Sequence, residues 1–501
     1  MSILIDHCDV LDPTAPRSTR ANQSILIVGA RIQAIGAPDE VALITPPDAL
    51  RVDGRHMLAT PGLISAHTHS AENFLRGYAE RMPLEPWLVW MIGQCGEYTA
   101  RDHYLAAMMS SIEMLLSGCT GLIDHYWHSG PWNREVLDAG MLAYRDIGIR
   151  ATVAPLYDDS DFVVATAAKL GFDISQSRYS LRQSPDPAIR HGVLLNNLAI
   201  FDDWMGAWHG QANGRLQTFL GPAAGQLLTA DCLRRSLDQA RKYGAGIQMH
   251  CLETRVQDYC IRQTRGCTQI EWMDKEGLLG PDVTLPHSVW IRSEADLDRL
   301  ARSGAVPVHN PAANLKLGSG LMPMREMLDH GVTVALGVDG ACSNDNQNMF
   351  ETVKLAALIH NLKSHDPKTW ISAREAFEAG SMGGAAAMLH KGQLGELKPG
   401  QLADVVLLDT RSPTLSPMND AYEMLAYCEL GGSVTHVIVN GEVVVKDGAL
   451  TAIDAAAITQ EFRERVDAFP FRHEPPPEVA RDMDAIWAFW RDVMQRVDRG
   501  E

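Results

Sequence analysis

Pro61-Gly62-Leu63-Ile64-Ser65-Ala66-His67-Thr68-His69 is the stretch on which the fold turns. A Pro-Gly pair opens a short apolar run, and the run ends in two histidines one residue apart. A brief, continuous apolar segment of this kind reads as a strand buried on both faces, as in a parallel sheet. Alternate residues at a strand end point the same way, so both imidazoles can reach one ion at about 2.0–2.1 Å. Alone, His-x-His is a weak signal. Its weight depends on what stands at the ends of the other strands.

Working outward, the pattern alternates. Asp102 to Ser117 has helical periodicity, with apolar Leu105, Met109, Ile112 and Leu116, and Gly118 follows as a C′ residue. Asp231 to Tyr243 repeats the device with Gly244, and Glu294 to Ser303 with Gly304. Each helix leads into another short apolar run. Counted from Leu63, eight such runs end near residues 66, 124, 154, 220, 249, 286, 308 and 338. Strands alternating with helices imply an α/β fold with parallel strands, and eight of them suggest a closed (β/α)8 TIM barrel.

Short β-rich runs also flank this region, at Ser24–Gly29 and Arg31–Gly36 and again at Ala403–Leu408 and Thr435–Gly441. The last ends in Asn440-Gly441, a hairpin signal. A small β domain assembled from both termini accounts for them. The expected organisation is therefore 1–57 and 401–450 as the β domain, 58–400 as the barrel and 451–501 as a helical extension. Residues 157–214 form an over-long connection with Trp204 and Trp208; insertions of this length are usually lids or binding loops. The terminal helix carries an apolar stripe, Met483, Ile486, Trp487, Trp490 and Met494, which is expected to pack on its own barrel.

Composition bounds the partners. The 501 residues carry 44 Lys+Arg against 62 Asp+Glu, a formal charge of −18, which argues against nucleic acid or an anionic membrane surface. Nine scattered cysteines without a Cys-x-x-Cys pair read as free thiols in a reducing compartment. No signal segment is visible at the N-terminus, and no apolar run approaches the ~20 residues of a membrane helix. The expectation is a cytoplasmic homo-oligomer, dimer or higher, acting on a small molecule.

Barrel enzymes place their chemistry at the C-terminal ends of the strands. The first expected strand ends at His67 and His69, the fifth at His250, the sixth at His287 and the eighth at Asp339. Three imidazoles and a carboxylate, from His67, His69, His250 and Asp339, form a ligand set suited to zinc, with iron the second choice.

The same residues carry a resemblance. Pro61 to His69 resembles the first-strand signature of the amidohydrolase superfamily. Leu75-Arg76-Gly77, Pro83-Leu84-x-x-Trp87-Leu88, His309 to Gly320 and Gly337 to Asp345 are similar to its branch of atrazine chlorohydrolase, 8-oxoguanine deaminase and adenosylhomocysteine deaminase. The likeness runs in order from about residue 20 to 450. It implies a distorted barrel, a β-sandwich from both termini, and one divalent ion on His67, His69, His250 and Asp339. Glu253 matches the branch's proton shuttle, and His287 the residue that steadies the attacking water or the developing oxyanion. Asp339 would also accept a proton from that water. His125, Trp127 and Asn314 are the expected substrate contacts.

Departures from the pattern shape the expectation further. Leu220 to Gly225 lacks the lysine that bridges two metals in binuclear members, so one ion is expected. Ala223 or Ala224 replaces a histidine of adenosylhomocysteine-type deaminases, which weighs against an adenosine-like substrate. Pro286 before His287 replaces a small residue and leaves that ring's orientation open. A bound ion brings the pKa of water to about 7 and so supplies hydroxide. A departing nitrogen needs a proton, and Glu253, at the start of a loop able to fold over the mouth, can give it. The expected activity is metal-dependent deamination of a nitrogen heterocycle. Cleavage of an acyclic amide or urea, dechlorination of a triazine-like ring and a non-catalytic scaffold role stand behind it. Chloride leaves unprotonated, so Glu253 favours nitrogen release.

Overall fold

The structure is a computed structural model, and it describes residues 2–94, 98–128, 130–174, 186–469 and 477–500. The fold is α/β with parallel strands. Leu63–Thr68, Cys119–Tyr126, Arg150–Tyr157, and Leu216–Thr218 with Gly221–Pro222 make one sheet. Ile247–Gln248, Val283–Pro286, Val306–His309 and Ala335–Leu336 make a second. Every ladder within them is parallel. Each expected strand end falls within three residues of an observed one. The first two strands are buried along their whole length, as an apolar run covered by helices should be.

Single bridges carry these short strands past their formal ends. Leu220 pairs with Ile247, Ala224 with His250 and Cys251 with His287. His287 N donates to Val308 O (2.8 Å), Gly337 N to His309 O (3.0 Å) and Asp339 N to His67 O (3.0 Å). The expected helices are present at Ala100–Leu116, Ala230–Lys242 and Glu294–Ser303. Gly118, Gly244 and Gly304 follow them with φ of +84°, +66° and +73°, a conformation that a side chain would strain.

Strands from both ends of the chain join in one nine-stranded sheet. Its hairpin at Asn440-Gly441 has positive φ at both residues, as the sequence signal requires. Met57–Pro61 pairs antiparallel with Val405–Asp409, so the terminal sheet continues to Pro61, four residues beyond the expected 57. Gly62 makes the crossing: a Cβ there would lie 2.0 Å from Thr120 Oγ1.

Two further expectations change. Within the insertion, helix Pro187–Trp208 buries Phe201 and Trp204 in the main core, so this part is scaffold; 175–185 lies outside the described residues. The terminal helix Pro477–Asp498 packs on its own chain through Ile486, Phe489 and Val493, with Met483 and Trp490 of the expected stripe beside them, against Val89, Val256, Tyr259 and Cys260. Trp487 and Met494 are only half-buried, because the buried face follows i, i+3, i+7 from Ile486. No described helix is long and apolar enough to cross a membrane.

One buried ion pair ties the two sheet systems together. Arg150 Nε and Nη2 each donate to Asp404 at 2.8 Å, and Nη2 also reaches Asn440 Oδ1 at 3.1 Å. Their side chains are 1% and 3% exposed. Removing one partner strands the other charge in the interior, so Asp404→Ala should cost about 3–5 kcal/mol in denaturant unfolding. Arg150→Met combined with Asp404→Leu should recover most of that loss.

Candidate metal centre and active site

The centre is built from strand ends. His67 stands on the first strand and His69 just after it, His125 on the second, His250 after the fifth, His287 after the sixth and Asp339 after the eighth. All six are buried or nearly so.

Hydrogen bonds set the tautomers. His69 Nδ1 donates to His125 O (2.6 Å), and His250 Nδ1 to Ala223 O (2.7 Å). His67 Nδ1 lies 2.8 Å from Gln248 Oε1, and Gln248 is itself held through Nε2 on Ala66 O (2.8 Å). Each Nε2 is thereby left with a bare lone pair facing inward. His69 Nε2 and His250 Nε2 are 3.1 Å apart. Asp339 Oδ1 is 3.3 Å from His67 Nε2 and 3.6 Å from His69 Nε2. His67 Nε2 is buried with no hydrogen-bond partner. Acceptors gathered this closely repel one another, and a cation among them is what relieves the repulsion. Burial, and then the neighbouring His67, push the pKa of His69 down to about 4; burial holds that of His250 well below its ordinary value. Both are therefore neutral at pH 7, as metal ligands must be.

Among the described residues, two overlapping groups have the geometry for an ion: His67, His69, His125 and His250, and His67, His287 and Asp339. His125 Nε2 donates to Gly221 O (3.1 Å), its Nδ1 is buried without a partner, and its ring stacks on His250 at 4.6 Å between centroids.

Beside this cluster lies a cavity with about 120 Å³ open to the centre of a water molecule, room for a small ring rather than a polymer. Its walls include Trp87, Trp127, Leu88 and Leu317, with Glu253, His287 and Asp339 at its base. Trp127 thus lies where a substrate contact is expected. His125 and Asn314 do not line this cavity. His125 points into the imidazole cluster. Asn314 lies behind His287, its Oδ1 3.0 Å from Nδ1 of that ring. Asn314 therefore settles the orientation that Pro286 leaves open in the sequence.

Glu253 is buried; its N–H donates to Gln257 Oε1 (2.8 Å), and its Oε2 is 3.5 Å from His287 Nε2. Rather than starting a loop that folds over the mouth, it precedes helix Arg255–Arg265, which Thr254 caps by accepting from Gln257 N. Burial, and then the charge of Asp339, raise its pKa well above the usual carboxylate range. The cover comes from helix Leu84–Gln94, through Leu84, Trp87, Leu88, Met91 and Ile92. Leu252, His287 and Asp339 all have positive φ, at 44°, 72° and 67°, strain that concentrates at functional sites. Gln248 is a residue that sequence reading missed. It sits two before His250, on the same face of the strand, and that spacing was the signal.

The geometry and the family agree. The chain matches the amidohydrolase family model over residues 58–444, and it belongs to that family. Among curated relatives it is 31% identical to a 5-methylthioadenosine/S-adenosylhomocysteine deaminase of Pelotomaculum thermopropionicum, over 93% of this chain and 98% of that one. It is 29% identical to a 5′-deoxyadenosine deaminase of Methanosarcina barkeri, with the same coverage. The solved structure of an atrazine chlorohydrolase from Arthrobacter aurescens complexed with zinc is 26% identical, with a TM-score of 0.78 over 93% of this chain and 100% of that one.

The Gln248 contact yields a prediction. Gln248→Leu removes the partner that orients His67 and should weaken retention of a divalent ion by about 10- to 100-fold, read by competition with a chromophoric chelator. Helical circular dichroism should stay unchanged.

Proposed function

We propose that the protein is a mononuclear metal-dependent aminohydrolase that removes an amino group from a small nitrogen heterocycle. Glu253 carries the reading: a buried carboxyl, raised in pKa, 3.5 Å from His287 and beside a cluster of inward-facing lone pairs. Amine-releasing relatives and a halide-releasing structural relative share this fold, so fold does not separate the leaving groups. An amino group departs poorly unless protonated and chloride does not need the proton, so a protonated acid beside the centre favours nitrogen release.

In this reading His67, His69, His250 and Asp339 hold one divalent ion, zinc before iron; the chlorohydrolase complexed with zinc supports the choice. The ion would polarise the substrate and lower the pKa of water. Glu253 gives its proton to the ring nitrogen beside the reacting carbon, is recharged by the proton that Asp339 takes from the attacking water, and passes that proton to the leaving amine. His287 is neutral, its pKa lowered by burial to about 4, and with Nδ1–H directed to Asn314 its Nε2 accepts a hydrogen bond from the attacking water. Asp339 takes the proton that this water gives up. His125 helps keep His250 neutral. Trp127 and Trp87 flank the ring of the substrate.

The frame is a distorted (β/α)8 barrel over 62–400, supported by the bridges that link the two parallel sheets and by the Asp339 N to His67 O hydrogen bond at their far edges. A β-sandwich of 1–61 with 401–450 and a helical extension of 451–501 complete it. The names of the relatives put adenosine-type rings on the test panel, although Ala223 and Ala224 line the cavity where a histidine is expected for adenosylhomocysteine-type substrates.

Two measurements test this. Elemental analysis of purified protein should find close to one divalent ion per chain, and His67→Ala should lose it; two tightly held ions would contradict the reading. A screen of aminopurines, pterins, aminotriazines, ureas and amides should find ammonia release from an amino ring. Glu253→Gln should keep the ion and lower kcat by about 10²- to 10⁴-fold. Halide release from a chlorinated ring, with every amino, amide and urea analogue inert, would overturn it.

A further inference from the structure

Gln257 has no part in the steps above, yet its side chain is held against the cavity with one end already committed. It stands in the first turn of helix Arg255–Arg265, is 3% exposed and lines the cavity. Two hydrogen bonds fix it: Gln257 N donates to Thr254 Oγ1 (3.2 Å), and Gln257 Oε1 accepts from Glu253 N (2.8 Å). A backbone N–H can only donate, so the second bond decides which end of the amide is the oxygen. The other end is an NH2 group. Among the described residues nothing accepts from this Nε2, and the atom is open to the cavity rather than sealed in the core.

An N–H that loses water and gains no acceptor is costly, so whatever fills the cavity is selected to accept from Nε2. An amide does not titrate, and the direction of this bond is therefore the same at any working pH. Glu253 and Gln257 share one corner of the cavity, because the amide holds the backbone of the acid. The acceptor accordingly lies on the edge of the ring that Glu253 protonates. On that edge the amino group is a donor, and the ring nitrogen beside it is taken by Glu253. The acceptor that remains is an exocyclic oxygen on the far side of the same nitrogen.

Resting on the aminohydrolase reading, we propose that Gln257 is a specificity-determining residue whose Nε2 donates to an oxo group of the substrate. The substrate class is then an amino-oxo heterocycle in which one ring nitrogen stands between the amino carbon and the oxo carbon. A 4-amino-2-oxopyrimidine and a 6-amino-2-oxopurine are examples, each preferred to the same ring without the oxygen. Leaving the Nε2 hydrogen without an acceptor in a dry cavity corresponds to about a 10- to 100-fold discrimination.

The test compares matched pairs: cytosine with 4-aminopyrimidine, and isoguanine with adenine. For each pair the ratio of kcat/KM is measured on the metal-loaded enzyme, and the ratio of dissociation constants by calorimetry on metal-loaded Glu253→Gln. The oxo member should be favoured by about 10-fold or more. Gln257→Met, which keeps the length of the side chain without its amide, should shrink that ratio to about threefold or less. Both members of a pair meet the same enzyme, so any shift of the Glu253 backbone cancels in the ratio. Gln257→Asn, one methylene shorter, cannot bond Glu253 N and reach into the cavity at once; it should lower the ratio too, and it stands in if Gln257→Met does not fold. A ratio that is the same with and without the Gln257 amide, or that never favours the oxo ring, overturns the proposal. If no amino ring releases ammonia while the binding ratios still depend on Gln257, the aminohydrolase reading fails and the role of Gln257 stands.

Discussion

The structure depends on holding like against like. Three imidazole lone pairs and a carboxylate oxygen are brought within about hydrogen-bond distance of one another without a proton between the imidazoles. Left to itself such a group would fly apart or take up protons. It stays because each ring is pinned from behind, by Gln248, His125 O and Ala223 O, and because the strand ends bearing the rings are bonded to one another. The cost of assembling the acceptors is met by the fold, so the binding energy of a cation is not spent on ordering them.

Burial then sorts the titratable groups into roles. Desolvation disfavours whichever form is charged, so the same dry surroundings keep His250 and His287 neutral and raise the pKa of Glu253. Two carboxyls near one centre thus differ. Asp339, facing the imidazoles, stays ionised, while Glu253, farther from them and near Asp339, favours its proton.

Much of this was legible in the sequence, for a physical reason. A parallel strand buried on both faces is an unbroken apolar run, and the residue that ends it is a polar one with a task. His67, His69, His250, His287 and Asp339 all break such runs. The glycines after the helices were legible because left-handed backbone favours so few residues. What sequence could not supply was direction. His125 and Asn314 sit in the right stretches, but one turns toward the imidazoles and the other toward the back of His287. The phase of the terminal helix was hidden likewise, since apolar residues lie on more than one of its faces and only the neighbouring Val89 and Tyr259 select Phe489 and Val493. Met57–Pro61 carries a strand pattern that suits either sheet, and the antiparallel partner Val405–Asp409 decides between them.

The cover over the cavity follows from the same economy. Helix Leu84–Gln94 lays apolar side chains on the cavity, yet it also carries Glu85, buried at 1% exposure. Burial pushes the pKa of that carboxyl up to about 7, and Thr254 Oγ1 donates to it at 2.5 Å. Thr254 is the residue after Glu253 and the cap of the helix that fixes Glu253 in place. One hydroxyl therefore joins the helix over the cavity to the backbone that carries Glu253. A hydrophobic contact alone would let the helix slide, because apolar surfaces have no preferred register, whereas a buried hydrogen bond is lost in any other position. The apolar helix supplies dryness, and the single polar link within it sets where that dryness falls.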